Sequence, residues 1–556
     1  MPSAPLFEQE EVKLNEAPYD YVVVGAGSSG CAVAARLSES GKFRVALIEA
    51  GPKDSSPWIH LPLGYGKTMW DERINWKLYT QPDPNMNGRS IYWPRGKVLG
   101  GSSAINGLIA IRGQAEDYDD WALYGGDQWR YRNVLPYFRK LETFNSSANP
   151  DYHGKSGPIS VDPIARRHPL IDALIASANK IGIPNNEDFN GPSQEGVGYY
   201  SLTTRKGLRS SAAVGYLRPA RGRANLDVLT EAQVTRVRFS GRRAQGVDYM
   251  RHGRTASLVA RYGVILSAGA VHTPHLMMLS GIGPAAHLKE HGVNVLADMP
   301  GVGANLQDHL QLRLIYRCNR PITTNDDLNS LPGKVKIALQ WLLTRTGPLA
   351  VGINQSALFT AVTPGATRPD VQFHVATLSA DMAGGRVHPF SGFTLSVCQL
   401  RPESAGVIRL ASGDPSAAPN IHPNYLDAEV DRQVAVGALR LARRIANTDP
   451  LRKLVAGEEL PGEAVDSDEA LLDFARQNGA TIFHPTGTCR MGQNDDGGAV
   501  VDPDLKVRGF DGLWIADCSV MPRIVSGNTN LPAIMIGEKL SDHLLKQIPT
   551  LGGEPC

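Results

Sequence analysis

Cysteine is scarce. The chain has 556 residues and six cysteines: Cys31, Cys318, Cys398, Cys489, Cys518 and Cys556. They lie far apart without a C-x-x-C pair, which excludes a disulfide framework. Reduced thiols of a cytoplasmic protein are expected instead. Long apolar runs are missing too: the longest are broken by glycine or polar residues, so no integral membrane segment is expected. Only peripheral membrane docking stays open. Residues 1–18 mix acids and bases without a continuous apolar core, and are read as a leader rather than a secretory signal. An excess of either charge is also absent. Lys and Arg number 57 against 55 Asp and Glu, a net charge of +2. With no dense basic cluster, nucleic acid is excluded as a partner. Internal repeats and low-complexity segments are absent.

What remains is a long chain of ordinary globular composition, too long for one hydrophobic core, so two domains are expected. Near its start, the apolar run Tyr21–Val24 is followed by Gly25, Gly27 and Gly30 at G-x-G-x-x-G spacing. An alanine-rich stretch from Cys31 to Leu37 and a second apolar run, Val45–Ile48, complete a strand–turn–helix–strand unit. In that setting Gly25 permits the tight turn, Gly27 a close approach to a pyrophosphate, and Gly30 close packing of helix on strand. The helix N-terminus offers free N–H groups to the phosphates. Glu49 lies nineteen residues past Gly30 (49 − 30), at the end of the second strand, where its carboxylate can hold both ribose hydroxyls. A structural glycine turn beside a surface glutamate is the alternative. The acid disfavours NADP and leaves FAD and NAD both open.

Two further apolar runs, Val264–Leu266 and Leu513–Ile515, read as strands covered on both faces. Val371–Val375 and Phe393–Leu400 alternate like antiparallel strands. Asp427–Ile445 and Asp468–Gln477 read as amphipathic helices. Nucleotide-binding texture thus recurs at the start, middle and end of the chain. The expected fold is α/β: a Rossmann-like, discontinuous cofactor domain (19–160, 211–315 and 490–556) and an α+β substrate domain with an antiparallel sheet (161–210 and 316–489).

The motifs of the remaining chain carry a resemblance. Trp93-Pro94 precedes Arg95-Gly96-Lys97-Val98-Leu99-Gly100-Gly101-Ser102-Ser103-Ala104-Ile105-Asn106-Gly107. A second block runs from Gly269 through His272, Pro274 and His275 to Gly283. Near the C-terminus come His484-Pro485-Thr486-Gly487-Thr488-Cys489-Arg490-Met491-Gly492 and Ser526-Gly527-Asn528-Thr529-Asn530-Leu531-Pro532. Together, over Tyr19 to about Leu545, these resemble the glucose–methanol–choline (GMC) oxidoreductase family, in particular its choline dehydrogenase- and aryl-alcohol oxidase-like members. The resemblance implies the family fold and FAD. It places Ser102, Asn106 and Gly107 at the flavin half, Val234 at the adenine, and Ala516 and Asp517 near the pyrophosphate and ribityl chain. It extends the cofactor set to Ser28, Ser29, Ala50, Val98, Gly100, Gly101, Ala268, Gly269, Phe483 and Thr529. Where some members carry a histidine linked covalently to FAD, this chain has Ile105, so noncovalent FAD is expected.

The implied chemistry is oxidation of an alcohol carbon by hydride transfer to flavin N5, with a base taking the hydroxyl proton. Imidazole suits that task. By motif the base is His484, with Asn528, 44 residues on (528 − 484), donating to the substrate oxygen. The alternative is a His484 that merely satisfies backbone groups at a helix start. His272, His275 and His309 read as packing, turn or structural residues. His287 and His291 stand at i, i+4, but with no third ligand they read as a solvated helix face, and no metal is expected. Ser102-Ser103 lacks a nucleophile elbow. Tyr65, Trp70 and Phe483, with the Leu61–Gly66 segment and residues near Phe373, suggest a pocket for a primary alcohol, benzylic ones included. The electron acceptor is oxygen or a quinone-like compound. A hydroxynitrile lyase-like enzyme and a flavin photodecarboxylase are the competing readings on the same scaffold.

Overall fold

The computed structural model describes residues 17–146, 149–164, 166–382 and 384–547. Most of the leader and Cys556 lie outside the described residues. The glycine fingerprint folds as expected: β1 (Tyr19–Val24) leads through the turn into α1 (Ser28–Glu39), and β2 (Val45–Ile48) returns parallel to β1. A Cβ at Gly30 would stand 1.9 Å from the Gly25 carbonyl oxygen, so only glycine lets α1 pack this closely on its own turn.

β3 (Leu226–Leu229) extends the sheet beside β2 in parallel. β4 (Ala232–Ser240), β5 (Arg243–Arg251) and β6 (Arg254–Leu266) then form an antiparallel meander. The thirteen-residue β6 serves two sheets. Its first half pairs with β5; its second half, Ala260 to Leu266, lies between β1 and the strand Leu513–Ile515, parallel to both. Val264–Leu266 and Leu513–Ile515 are the two runs expected as doubly covered strands, and all of Val264, Ile265, Leu266, Leu513 and Ile515 are buried. The chain leaves β6 through α2 (Gly269–Leu279), which begins at the C-terminal edge of the parallel strands, where open α/β sheets bind ligands.

The second sheet is antiparallel throughout. Its order is β11 (Val455–Leu460), β7 (Leu310–Cys318), β10 (Gly392–Gln399), β9 (Val371–Ala376), β8 (Asn354–Thr360) and the strand Gly196–Tyr199. One expectation is corrected here. The boundary drawn between 315 and 316 falls inside β7, which pairs along its length with β10. Val371–Val375 and Phe393–Leu400 correspond to β9 and β10, antiparallel strands as expected, both buried on both sides, with the helix Glu429–Ala446 packed against β10. That helix and Asp468–Asn478 are the two amphipathic helices expected. Between β7 and β8 runs α3 (Leu331–Thr344), capped by the Ser330 hydroxyl, which accepts from the Gly333 N–H.

No helix among the described residues is long and apolar enough to cross a membrane.

Candidate active site

His484 lies in the loop after the short strand Ala480–Thr481, so it does not start a helix. The loop is held from three sides. Phe483 has a left-handed backbone, φ +72°, an uncommon conformation for a bulky residue that its neighbours must fix. Its N–H donates to the Thr481 hydroxyl at 2.7 Å, and its carbonyl accepts from Arg95 Nη2 at 3.1 Å. The His484 N–H donates to Asp308 Oδ1 at 2.8 Å, and the other Asp308 oxygen accepts from the Tyr425 hydroxyl. Asn528 comes from the loop before α4 (Asn530–Lys546). Asp117 anchors that loop by accepting from the Ser526 N–H at 2.6 Å and its hydroxyl at 2.8 Å.

Both ring nitrogens of His484 have side-chain partners: Nδ1 is 3.0 Å from His309 Nδ1, and Nε2 is 3.1 Å from Asn528 Nδ2. The far nitrogen of His309 is 2.9 Å from the Leu400 carbonyl oxygen, which can only accept. That contact fixes the proton of His309 on Nε2, leaving Nδ1 as an acceptor. The His484 Nδ1–H then donates to it, and the lone pair of His484 is left on Nε2, where the Asn528 amide points. Asn528 Oδ1 accepts in turn from Gln372 Nε2 at 3.2 Å. The series of hydrogen bonds therefore selects one tautomer, with the basic nitrogen toward the cavity.

The electrostatics agree. Burial first, then the neighbouring His309, His374 and Arg95, hold His484 well below the usual histidine pKa, so it stays neutral. Burial lowers His309 to about 4 and His374 to about 3. It raises the Asp308 carboxyl to about 6.

In front of His484 opens a cavity of about 310 Å³. The expected residues Gly25, Gly27, Ser28, Ser29, Glu49, Ala50, Gly101, Ser102, Asn106, Gly107, Val234, Ala268, Gly269, Phe483, His484, Asp517, Asn528 and Thr529 all line it. Four of that set do not. Gly30 packs α1 on its turn, and Val98 is sealed in a small apolar cluster. Gly100, at φ +90°, donates its N–H to the Ala26 carbonyl at 2.8 Å, and the Ala516 carbonyl accepts from the Ser29 hydroxyl. These four shape the wall from behind.

Other expectations shift as well. His272 and His275, read as packing residues, line the cavity; His272 lies 4.4 Å, ring to ring, from Trp76. His309, read as structural, holds the His484 ring. Trp70 stacks on Tyr92 at 4.5 Å and is not in the lining, whereas Tyr65 is. Phe373 is a core residue of β9, and the next residue, His374, faces the cavity with neither ring nitrogen hydrogen-bonded. Gln311, Asn354 and His374 reach the cavity from three strands of the second sheet. No local motif marks them, since the sheet assembles them from segments far apart in sequence.

Glu290 also supplies the third group that the His287/His291 spacing lacked, all three offering ligand atoms within 4.8 Å of one another. Yet His287 Nε2 accepts from the Leu410 N–H at 3.0 Å, which puts the ring proton on Nδ1 and leaves no free lone pair for a metal.

The cavity fits a dinucleotide. α1 and α4 both start on it without a side-chain cap, so their first N–H groups are free for phosphate oxygens. At Gly101 a Cβ would stand 2.7 Å from Gly27 Cα, so glycine keeps the groove open where a pyrophosphate would pass. Glu49, its carboxyl raised to about 7 by burial, accepts from the Ala26 and Gly51 N–H groups at 2.9 Å each. Each of its oxygens keeps a lone pair for a ribose hydroxyl. Ser267 Oγ and His275 Nε2, buried on the lining without partners, are further groups that a bound cofactor can satisfy.

Known proteins resemble this chain along most of its length. Family models described as GMC oxidoreductase match residues 19–311 and 402–537. The chain is 40% identical to an "alcohol dehydrogenase [acceptor]" of Pseudomonas putida, over 95% of this chain and 96% of that protein. It is 42% identical to an "oxygen-dependent choline dehydrogenase" of Brucella suis, with the same two coverages. A solved fungal aryl-alcohol oxidase superposes with a TM-score of 0.85 at 27% identity, covering 96% of this chain and 99% of that one.

Proposed function

The chain belongs to the GMC oxidoreductase family, FAD-binding enzymes acting on alcohol-type donors, and from that premise we propose that it oxidises primary alcohols, benzylic ones included, to aldehydes with FAD held noncovalently. The observation that carries this reading is the neutral His484 with its basic Nε2 aimed into the cavity. FAD, when bound, supplies the acceptor for the hydride that leaves the alcohol carbon. His484 Nε2 takes the hydroxyl proton, and the Asn528 amide donates to the same oxygen as charge builds on it. His309, with its own proton fixed by Leu400, accepts from His484 Nδ1 throughout and keeps the ring in place.

The substrate class rests on the wall built by the second sheet. The carboxylates on the lining are Glu49 and Asp517, and both are held by backbone N–H groups of the cofactor domain. The second sheet contributes Gln311, Asn354 and His374, none of them charged, while Tyr65 and Phe483 add aromatic surface. A quaternary ammonium calls for an aromatic cage with a carboxylate, and this wall offers no carboxylate.

The deciding experiment is anaerobic mixing of the yellow protein with primary and aryl alcohols while following flavin absorbance, then admitting air. Bleaching by primary or benzylic alcohols is expected. The speed of recovery in air separates oxygen from a quinone-like acceptor. Activity confined to choline or to sugars would sink the substrate assignment, and absence of bleaching by any alcohol would favour lyase chemistry.

Two further results are expected. Ile105 lines the cavity with a side chain that has no nucleophile, so denaturing precipitation should release FAD into the supernatant. Yellow colour retained in the pellet would refute noncovalent binding. His309→Leu removes the acceptor for His484 Nδ1–H and frees the ring to rotate. It should slow flavin reduction on the order of 10²-fold, with bound FAD unchanged by absorbance; an unaltered rate would remove His309 from the mechanism.

A further inference from the structure

Helix α3 is apolar on two opposite sides. Its inner side rests on Gly333 and Ile337, and the Trp341 indole donates to the Gly207 carbonyl at 3.0 Å. At 100° per residue, Leu331, Val335, Leu339, Leu342 and Leu343 fall together on the outer side. There they are 76%, 50%, 51%, 59% and 81% exposed. A water-facing helix normally carries charge on this side; five large aliphatic residues in one stripe mark a surface made to be covered. Lys334 and Lys336 border the stripe on its two edges, and Arg345 closes its C-terminal end.

The charge around the stripe has one sign. Residues 331–347 contain three cations and no acid. The neighbouring turn, whose Gly207 carbonyl holds Trp341, adds the exposed Arg205 and Lys206 with the exposed Leu208. Lys334, Arg345, Arg205 and Lys206 make no ion pair among the described residues, and Arg345 lies over the Trp341 ring. Asp327, just before the helix, is paired with Lys336 at 3.1 Å. An apolar stripe edged by cations, Lys334 and Arg345 among them unpaired, is the pattern of a helix lying in the interface of an anionic bilayer, stems in the acyl region and charges at the headgroups.

We propose that α3, with the 205–208 turn, docks the enzyme peripherally on an anionic phospholipid surface. The placement gives this a purpose. From α3 the chain turns at Pro348–Ala350, which packs on Pro62–Gly64, then passes Gly352, close to the Gly107 carbonyl, and enters the cavity wall at Asn354. The docking face and the cavity wall are thus successive parts of one segment. An enzyme seated there draws an apolar alcohol, or an apolar electron acceptor, from the lipid phase in which it concentrates.

The test is flotation of the FAD-loaded enzyme with vesicles of phosphatidylcholine containing about a quarter phosphatidylglycerol. The enzyme should float with them, and at least about ten-fold less with phosphatidylcholine alone. Leu339→Glu with Leu343→Glu should abolish flotation while leaving activity on a water-soluble alcohol and the melting temperature unchanged. Lys334→Glu with Arg345→Glu should also weaken flotation and flatten its salt dependence. Failure of the wild type to float, or equal flotation of the leucine variant, overturns the proposal. So does a wild-type dimer that the leucine substitutions split into monomers, which would make this face a contact between two copies of the chain.

Discussion

His484→Ala is expected to slow flavin reduction by an alcohol by about 10³–10⁴-fold, at the upper end of what a positioned base contributes. The effect should be this large because no other basic group among the described lining residues is held ready to replace the base. The other imidazoles on the lining, His272, His275 and His374, are lowered by burial to about 3, 4 and 3, and His374 has no hydrogen-bonded partner behind it to fix its tautomer. Asn528 can donate to the substrate oxygen but has no basic site. The bound-flavin spectrum should hold, because the His484 backbone stays tied to Asp308 and Phe483 to Arg95 whatever side chain follows. Stopped-flow mixing under anaerobic conditions reads the rate directly. The pH dependence supplies a second check. Since His484 lies well below 6.5, it is already deprotonated across the neutral range. Wild-type reduction should therefore stay level from alkaline pH down past about 6.5 and fall only in more acid solution. A rate that halves near 6.5 would mean an ordinary, solvated imidazole.

The second large effect is on stability. His272 and His374, lowered to about 3, and His275 and His309, lowered to about 4, are all shifted mainly by burial. The unfolded chain binds protons at these sites near 6.5 while the folded chain does not. The stability tied to them is therefore complete above 6.5 and drains as pH falls toward the folded values. At pH 5 each costs about 2 kcal/mol. Glu49 and Asp308, raised to about 7 and about 6 by burial, act with the opposite sign and recover about half of this. A net loss of several kcal/mol between about pH 7 and pH 5 is a large share of a typical folding free energy. Urea unfolding of the cofactor-free protein at successive pH values measures it, and a midpoint that stays flat would contradict the accounting. His374→Phe should remove one histidine's share of the slope.

Much of this architecture was legible in the sequence, for physical reasons that differ from part to part. The β1–α1–β2 unit was readable because Gly25, at positive φ, and Gly30, against the Gly25 carbonyl, each meet a local steric demand. Strands such as Val264–Leu266 were readable because a strand covered on both faces needs an unbroken apolar run. β6 defeated the same logic: one continuous strand changes partners midway, and nothing local records where the change occurs. The boundary inside β7 was misplaced for a like reason, since pairing along its whole length with β10 is a non-local fact. In the site, His484 and Asn528 stood out through a family resemblance carried by their flanking residues. His309 did not, because its role depends on the Leu400 carbonyl, 91 positions away, and on a ring 175 positions away. His374 was hidden because β9 looks like any buried strand until the cavity beside it is known. The outer stripe of α3 is not legible in the sequence, because apolar residues on two opposite sides of a helix read there as buried on both.

The hydrogen bonds behind His484 also decide where a captured proton can go. They end on the Leu400 carbonyl, which has no proton to pass on, and His309 is itself sealed from solvent. The rear of the imidazole is a cul-de-sac. A proton that lands on Nε2 must depart by the side on which it arrived, through the space the aldehyde has to vacate. Departure of the aldehyde and discharge of the proton thus share a single doorway. Whatever crowds that doorway, whether bulky product or lipid pressed against its rim, holds the base in its spent form and delays the next turnover.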